Sequence, residues 1–416
     1  LANPFRVYYR NSKSNRFEAR LSTIRLAGRV GRIKPSPTLA VTARAQQLKA
    51  QGKDVIGLGA GEPDFDTPAH VKEAAIRAIR EGFTKYTAVE GTPGLRRAIC
   101  AKFERENALK FTPDQVLVSV GGKQSFYNLA QALLEEGDEA IIPAPYWVSY
   151  PDMVLLAGAT PVIVSAGIEQ AFKISPAQLE QAITAKTKLF VINSPSNPTG
   201  SVYTRSELAG LGEVLRRHPQ VVIATDDMYE HILWMDEPFT NILNACPDLA
   251  DRTMVLNGVS KAYAMTGWRI GYCAGPRPII TAMANIQSQS TSNATSIAQV
   301  AAEAALSGDQ ACIVPMVRAF KERHDYVVDR LNRLPGVRCL ASQGAFYAFP
   351  DFRGAIKAAG AKDDLAMAEQ ILERAGVALV PGSAFGAPGY LRLSFATSMK
   401  TLEGALDRLE QFLSTG

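Results

Sequence analysis

From residue 116 to residue 256 the chain repeats one pattern: a short apolar run, a turn rich in Gly, Pro, Asn or Asp, then a helical pattern. The runs fall at 116–120, 140–142, 161–164, 189–193, 221–225 and 254–256. Apolar runs that alternate with helices need cover on both faces. The expected fold is therefore α/β, with a mostly parallel sheet between two helical layers. In such sheets the ligand-binding loops lie just past the carboxyl ends of the strands. The unusual motifs of this chain fall in those places.

A chain of 416 residues is longer than one hydrophobic core usually serves, so two lobes are expected. The repeating stretch belongs to a large domain over 67–309, in which one helix starts at Thr67-Pro68. From residue 310 the pattern changes. Helical stretches at 315–333, 365–376 and 401–414 enclose short apolar runs at 337–340, 345–349, 377–380 and 391–395. That reads as a smaller α+β domain over 310–416, to which residues 31–66 return. Thr38 is expected to cap a helix over 40–51 that Gly52 ends.

Charge separates the first residues from the rest. Residues 1–34 hold nine Lys or Arg and one acid, and the remainder has 36 basic against 39 acidic residues. The formal charge of +5 thus belongs to a basic extension, 1–30, which is expected to be disordered. Its composition is that of a transit peptide, but it favours the plainer reading of an inert leader or upstream read-through. The acidic body lacks the basic face that nucleic-acid binding requires. Five cysteines without a CxxC pair argue for a reducing compartment, the cytoplasm, or a plastid if the extension is a transit peptide. The four histidines show no ligand spacing, and no apolar run is long enough for a bilayer, so neither metal nor membrane is expected.

Lys261 is the focus of the chemistry. It lies in Asn257-Gly258-Val259-Ser260-Lys261-Ala262, between apolar or small residues, with Arg269 eight positions on. A lysine drawn inward beside a second cation loses basicity and becomes a nucleophile or Schiff-base former. Arg269 would be that cation, or a phosphate clamp. The segment approaches GxSxG but ends in alanine, and no histidine–acid pairing supports a hydrolase. Gly57, Gly59 and Gly61 suggest a dinucleotide fingerprint, yet the spacing is GxGxG and Pro63 stands where a helix should begin. Glycine allowing close approach of a ligand is the better reading.

Other loops complement the lysine. Gly121-Gly122 ahead of a helix offers N–H groups to a phosphate. Asp226 closes an apolar strand, where a carboxylate needs partners or else caps a helix. Tyr229 follows three residues later. Trp147 offers an aromatic face or is simply packed, and Asn197 lies in a proline-flanked turn. Arg392 alternates into an apolar strand and needs an anion there, either a ligand carboxylate or a structural salt bridge.

A Schiff-base lysine, phosphate anchors, a buried aspartate, a tyrosine, a stacking aromatic and a carboxylate arginine are what pyridoxal 5'-phosphate requires. The segments GEPDFDTP, KYT, GGKQ, PYWVSYP, SPSNPTG, DDMYE, SKAYAMTGWRIGY and LRLSFATS occur in that order. They resemble the successive signatures of the class I aminotransferases of fold type I, over about residues 31–416. The nearest likeness is to the bacterial-type aspartate aminotransferases, a branch that includes prephenate aminotransferases. The resemblance implies a pyridoxal-phosphate enzyme in which Lys261 carries the cofactor and moves the proton. Asp226 would meet the pyridine nitrogen, Tyr229 and Asn197 the ring oxygen, and Trp147 the ring face. Gly122, Lys123 and Arg269 would hold the phosphate, with Tyr86 reaching over from the other subunit of a homodimer. Arg392, Asn197 and Gly61 would hold the substrate α-carboxylate, and Thr38 and Lys123 a distal one.

The implied reaction exchanges an amino group between L-aspartate or L-glutamate and 2-oxo acids (2-oxoglutarate, oxaloacetate), with prephenate a further acceptor. The same cofactor residues would also serve a β-lyase, a decarboxylase, or an aminotransferase for aromatic or neutral amino acids. A cofactor-sensing regulator would need a DNA-binding domain that the N-terminal extension cannot form. One departure stands out: Gly258 occupies a place, three before the lysine, where members often carry a hydroxyl. The phosphate clamp is then one donor short.

Overall fold

The computed structural model describes residues 25–35 and 37–414. Residues 1–24 of the extension expected over 1–30 lie outside the described residues, and at its end Gly28–Gly31 form a single 3₁₀ turn. Strand β1 (Ile56–Gly57) is followed by β2 (Val116–Ser119), β3 (Glu139–Ala144), β4 (Thr160–Ser165), β5 (Thr187–Asn193), β6 (Val222–Asp226), β7 (Thr253–Gly258) and β8 (Gly271–Ala274). Strands β2 to β8 form one sheet in the order β2-β8-β7-β6-β5-β3-β4. All its neighbouring pairs are parallel except those of β8, which runs antiparallel to both β7 and β2. The reason is the connection. Between β7 and β8 the chain forms only a 3₁₀ turn, Thr266–Trp268, so no helix carries it across and it returns alongside β7. That return is the Lys261 loop.

Both faces of the sheet are buried, as runs without polar alternation require. Phe190 and Ile192 of β5 join the cluster of Leu95, Ile99 and Phe103, whereas Leu189 and Val191 join that of Phe126, Leu129 and Met153. Register brings the strand ends together at one edge. Asn193 lies beside Asp226, and Asp226 beside Leu256. Gly258 lies beside Gly271, and Gly271 beside Ser119. A Cβ on Gly271 would lie 2.3 Å from Gly122 N, so glycine there lets the Gly121-Gly122 turn close over the edge.

The rest of the chain adds β9 (Tyr347–Ala348), β10 (Val377–Ala378), β11 (Val380–Pro381) and β12 (Leu391–Ser394). β11, β12 and β9 form an antiparallel sheet, and β1 pairs in parallel with β10 through Ile56 and Val377. The expected strand 377–380 is thus divided between two sheets. The expected strand 337–340 does not form. Arg338 makes one isolated bridge to Asp351, and the N–H of Cys339 is taken by Asn332 Oδ1 at 2.8 Å instead of a ladder partner. The helix expected over 365–376 covers Asp364–Gln370 and continues as a π turn, Ile371–Ala375. The helix expected from residue 40 begins at Pro37, so Thr38 sits in its first turn and does not cap it. Proline at the first helical position is pre-set for that start. Among the described residues no helix is long and apolar enough to cross a membrane.

Candidate active site

The loops at the carboxyl edge of the sheet enclose an open cavity of about 460 Å³, the size of a small-ligand site. Gly122 and Lys123 border it from beyond β2, Trp147 from beyond β3, Asn197 from beyond β5, and Asp226 and Tyr229 from the end of β6. Lys261 and Arg269 enter from the loop after β7, Arg392 from β12, and Thr38 and Gly61 from the N-terminal segment. Of the residues that the resemblance assigns to cofactor or substrate, Tyr86 alone stands apart from this cavity, and it is 92% exposed.

Lys261 Nζ donates to Gly61 O at 2.5 Å and lies 5.7 Å from the ring centres of Tyr229 and Phe346. Burial is the main cause that depresses its pKa, to about 8, with Arg392 next. Glu62 and Asp226 work against the shift, and Arg269 adds to it. The cation expected to matter, Arg269, is therefore the lesser of two. Arg269 is exposed, and its guanidinium donates to Thr266 O at 2.8 Å.

Asp226 is placed to receive a positive charge. Tyr150 Oη donates to its Oδ2 at 2.5 Å, and the Met228 N–H to its Oδ1 at 3.3 Å. Burial pushes its pKa up, while these bonds and Lys261 pull it back. No helix starts after it, because residues 228–230 form a turn, so helix capping is not its role. Tyr229 shares a hydrogen bond of 2.8 Å with Tyr347 Oη.

Arg392 is 2% exposed on β12. Its Nη1 donates to Asn197 Oδ1 at 2.9 Å and its Nη2 to Gly59 O at 2.7 Å, while Nε is buried without a partner. The guanidinium lies 4.5 Å from the Tyr347 ring centre and 4.9 Å from that of Phe385. Burial lowers its pKa, and the groups that oppose this are Tyr347 and Tyr229 rather than an acid. The structural salt bridge held open as an alternative is absent among the described residues. A buried cation with a free donor calls for an anion from outside.

The opposite end of the cavity suits a phosphate. The helix Gly122–Leu133 starts there; the Gln124 N–H is taken by Gly121 O at 3.0 Å, and the N–H groups of Gly122 and Lys123, at its first two positions, have no intrahelical acceptor. Its cap, Gly121, has φ +80°, and a Cβ on it would lie 2.4 Å from Arg269 Nη2. Glycine thus lets the cation approach the helix start. Lys123 Nζ lies 5.3 Å from the Trp147 ring centre, with its pKa lowered by burial and by Arg269. Where a hydroxyl is often found, Gly258 leaves room for Met228, whose Cε would be 3.0 Å from a Cβ at 258.

Tyr150, Asn193 and Tyr347 were not singled out in the sequence. Asn193 Oδ1 accepts the Asn197 N–H at 2.8 Å and so shapes the turn that presents Asn197. Its place at the end of an apolar strand was the available signal. Tyr150 lies one turn after Trp147, and Tyr347 alternates with apolar neighbours. Both read as core aromatics because only their hydroxyls reach the site.

A depressed amine, a sunken carboxylate facing it, a helix start with a nearby arginine and a buried guanidinium lacking an anion fit one cofactor chemistry. They are the set of groups that a Schiff-base enzyme with a phosphate-bearing cofactor needs. The chain belongs to the aminotransferase class I and II family, whose model matches residues 53–409, and that family depends on pyridoxal phosphate in general. It is 64% identical over 397 residues to the aspartate/prephenate aminotransferase of Nitrosomonas europaea, covering 94% of this chain and 100% of that one. The aspartate/prephenate aminotransferase of Cereibacter sphaeroides is 59% identical, with coverage of 93% and 98%. Among solved structures, the aspartate aminotransferase of Rhizobium meliloti superposes with a TM-score of 0.91 at 46% identity, covering 94% of this chain and 99% of that one. That of Thermus thermophilus, solved with maleate, gives 0.89 at 44% identity and coverage of 94% and 100%.

Proposed function

We propose that this aminotransferase uses pyridoxal 5'-phosphate to exchange amino groups between L-aspartate or L-glutamate and 2-oxo acids, with prephenate among its acceptors. The observation that carries the reading is Arg392, a buried guanidinium with no acid paired to it among the described residues, opposite an amine of depressed pKa. Relatives at 59% and 64% identity that carry both substrate names support the specificity.

The residues present fit the cofactor. Lys261 would hold it covalently, Asp226 would face its pyridine nitrogen, Tyr229 and Asn197 its ring oxygen, and Trp147 its ring. Gly122, Lys123 and Arg269 would take the phosphate, and Tyr86 of a second subunit would complete that end in a homodimer. When bound, the cofactor supplies an electron sink for the bond broken at the substrate Cα. The protein supplies the rest. Arg392 and the Gly61 backbone orient the α-carboxylate, with a planar fork that fixes the angle at Cα. Lys123 and Thr38 receive a second carboxylate, the feature that aspartate, oxaloacetate and prephenate share. Lys261 Nζ, released where the substrate's own amino group takes its place, would take the proton from Cα, which a free amine with a pKa of about 8 can do near neutral pH.

The test is a substrate panel on the cofactor-loaded enzyme. Aspartate and glutamate are offered as donors against 2-oxoglutarate, oxaloacetate and prephenate. Turnover of aspartate with 2-oxoglutarate is expected, together with a change in the visible spectrum when aspartate is added alone. An unchanged spectrum sinks the aspartate assignment. Release of pyruvate or ammonia without an acceptor would make the enzyme a lyase.

A further inference from the structure

Beneath the site lies a set of buried charges that the reaction does not use. Lys102, on the helix Pro93–Asn107, is 0% exposed, and Glu230 is 6% exposed. Lys102 Nζ pairs with Glu230 Oε1 and donates to Asn107 Oδ1 at 2.7 Å. Asn107 Nδ2 donates to Glu230 Oε2 at 2.6 Å, and Asn257 Nδ2 to Oε1 at 2.7 Å. Asn257 Oδ1 in turn accepts the Gly258 N–H at 2.7 Å. Glu106 and His231 bond to each other at 2.9 Å at the side of this group. Glu106, Glu230 and His231 lie close enough to hold a metal ion, but Lys102 Nζ, 3.5 Å from Glu106, supplies the positive charge there.

A buried ion pair is poor value for stability, since desolvation offsets most of its attraction and apolar residues of like volume often do as well. Its connectivity gives another reason for it. Glu230 closes the turn that carries Asp226 and Tyr229, and its N–H donates to Asp227 O at 3.0 Å. Asn257 is the next-to-last residue of β7, the strand from which the Lys261 loop departs. The two segments are the ones that a cofactor held by Lys261 and faced by Asp226 must span.

We propose that the Lys102–Glu230 pair is a positioning device: through Asn257 it locks the Asp226 turn to the root of the Lys261 loop and so fixes the placement of the two groups. The inference rests on the cofactor assignment above. Four charged groups act on Lys261 from separate segments: Arg392, Glu62, Arg269 and Asp226. Their balance depends on the geometry that the pair maintains.

The experiment uses Lys102→Met and Glu230→Gln in the full chain, with two readouts. One is the Kd for pyridoxal phosphate. The other is the pH midpoint for acylation of Lys261 in the cofactor-free protein, followed by mass spectrometry. The wild type is measured first, and failure to capture the cofactor at Lys261 would reject the functional assignment rather than the pair. In each variant the Kd is expected to rise by about tenfold or more. The acylation midpoint is expected to move up toward that of an ordinary lysine. Melting temperatures that fall while Kd and midpoint keep their wild-type values overturn the proposal, because the pair then serves stability alone. If Lys102→Met does not fold, Asn257→Ala decides, since it cuts the link to the loop and leaves the pair in place. A rise in Kd of about tenfold supports the proposal, and an unchanged Kd overturns it.

Discussion

Tyr150 and Asp226, 76 residues apart in sequence, meet at 2.5 Å between Oη and Oδ2. The tyrosine is 1% exposed, so it is held in the core with its hydroxyl turned to the carboxylate. It is the side-chain donor that opposes the effect of burial on the Asp226 carboxyl. Tyr150→Phe removes that donor without changing the packing. The carboxyl pKa should climb further, making Asp226 a weaker partner for a cation. A hydrogen bond to a charged group contributes about 1.5–3 kcal/mol, so cofactor affinity should fall by roughly 10- to 100-fold. The acid limb of the kcat profile should move to higher pH. A variant with unchanged affinity and unchanged acid limb would show that Asp226 needs no support from Tyr150.

Arg392 tests the substrate end separately. Arg392→Lys keeps a positive charge but loses the fork and the stacking on Tyr347 and Phe385. KM for aspartate should rise by about 10- to 100-fold, the effect of 1.4 to 2.8 kcal/mol. Cofactor affinity should stay within about threefold of wild type, since Arg392 is assigned to the carboxylate. A comparable loss in both constants would place Arg392 on the cofactor instead.

How much of this could be read from the sequence divides along physical lines. The sheet was legible because its strands are apolar on both faces and its loops carry Gly, Pro and Asn at each turn. Residues whose chemistry is unusual for their place, such as Asp226 ending an apolar strand and Arg392 within one, could also be picked out as candidates. Tyr150 and Tyr347 did not, because a buried tyrosine has the same pattern whether or not its hydroxyl is used. The strand expected at 337–340 failed for a similar reason: Asn332 occupies the Cys339 N–H through a contact that apolar periodicity does not encode. The action of Arg392 on Lys261 could not be read from the sequence, for want of distance. Arg269 is near in sequence, but Arg392, 131 positions on, has the larger effect.

That ranking has a pH consequence. Lys261 has its pKa lowered to about 8, so its neutral, nucleophilic form grows as pH rises through that value. In the cofactor-free protein the rate of cofactor capture should therefore increase from pH 7 to pH 9 and level off above, well before an exposed lysine would respond. Arg392→Met removes the larger of the two cations that depress the amine, which should shift this rise to higher pH. Arg269→Met should shift it less. Stopped-flow absorbance across the pH range makes the measurement, and the reverse order of the two shifts would contradict the geometry.

Gly258 offers a last test, directed at the phosphate end. A Cβ at this position would lie 3.0 Å from Met228 Cε and 3.1 Å from both Gly271 Cα and Ile270 O. The first neighbour is a flexible side chain and can swing away. The other two are backbone of the strand pair that carries the Lys261 loop, and they cannot. Restoring a hydroxyl by Gly258→Ser should then weaken the site: about 1–3 kcal/mol of overpacking, with no gain in cofactor affinity. Met228→Ala added to it relieves the side-chain contact alone, so the double variant should recover part of the stability and remain below wild type. Urea unfolding of the cofactor-free protein and a cofactor titration measure both quantities. Should Gly258→Ser bind the cofactor more tightly at unchanged stability, the loop has more freedom than these contacts allow, and glycine at 258 is simply a missing donor.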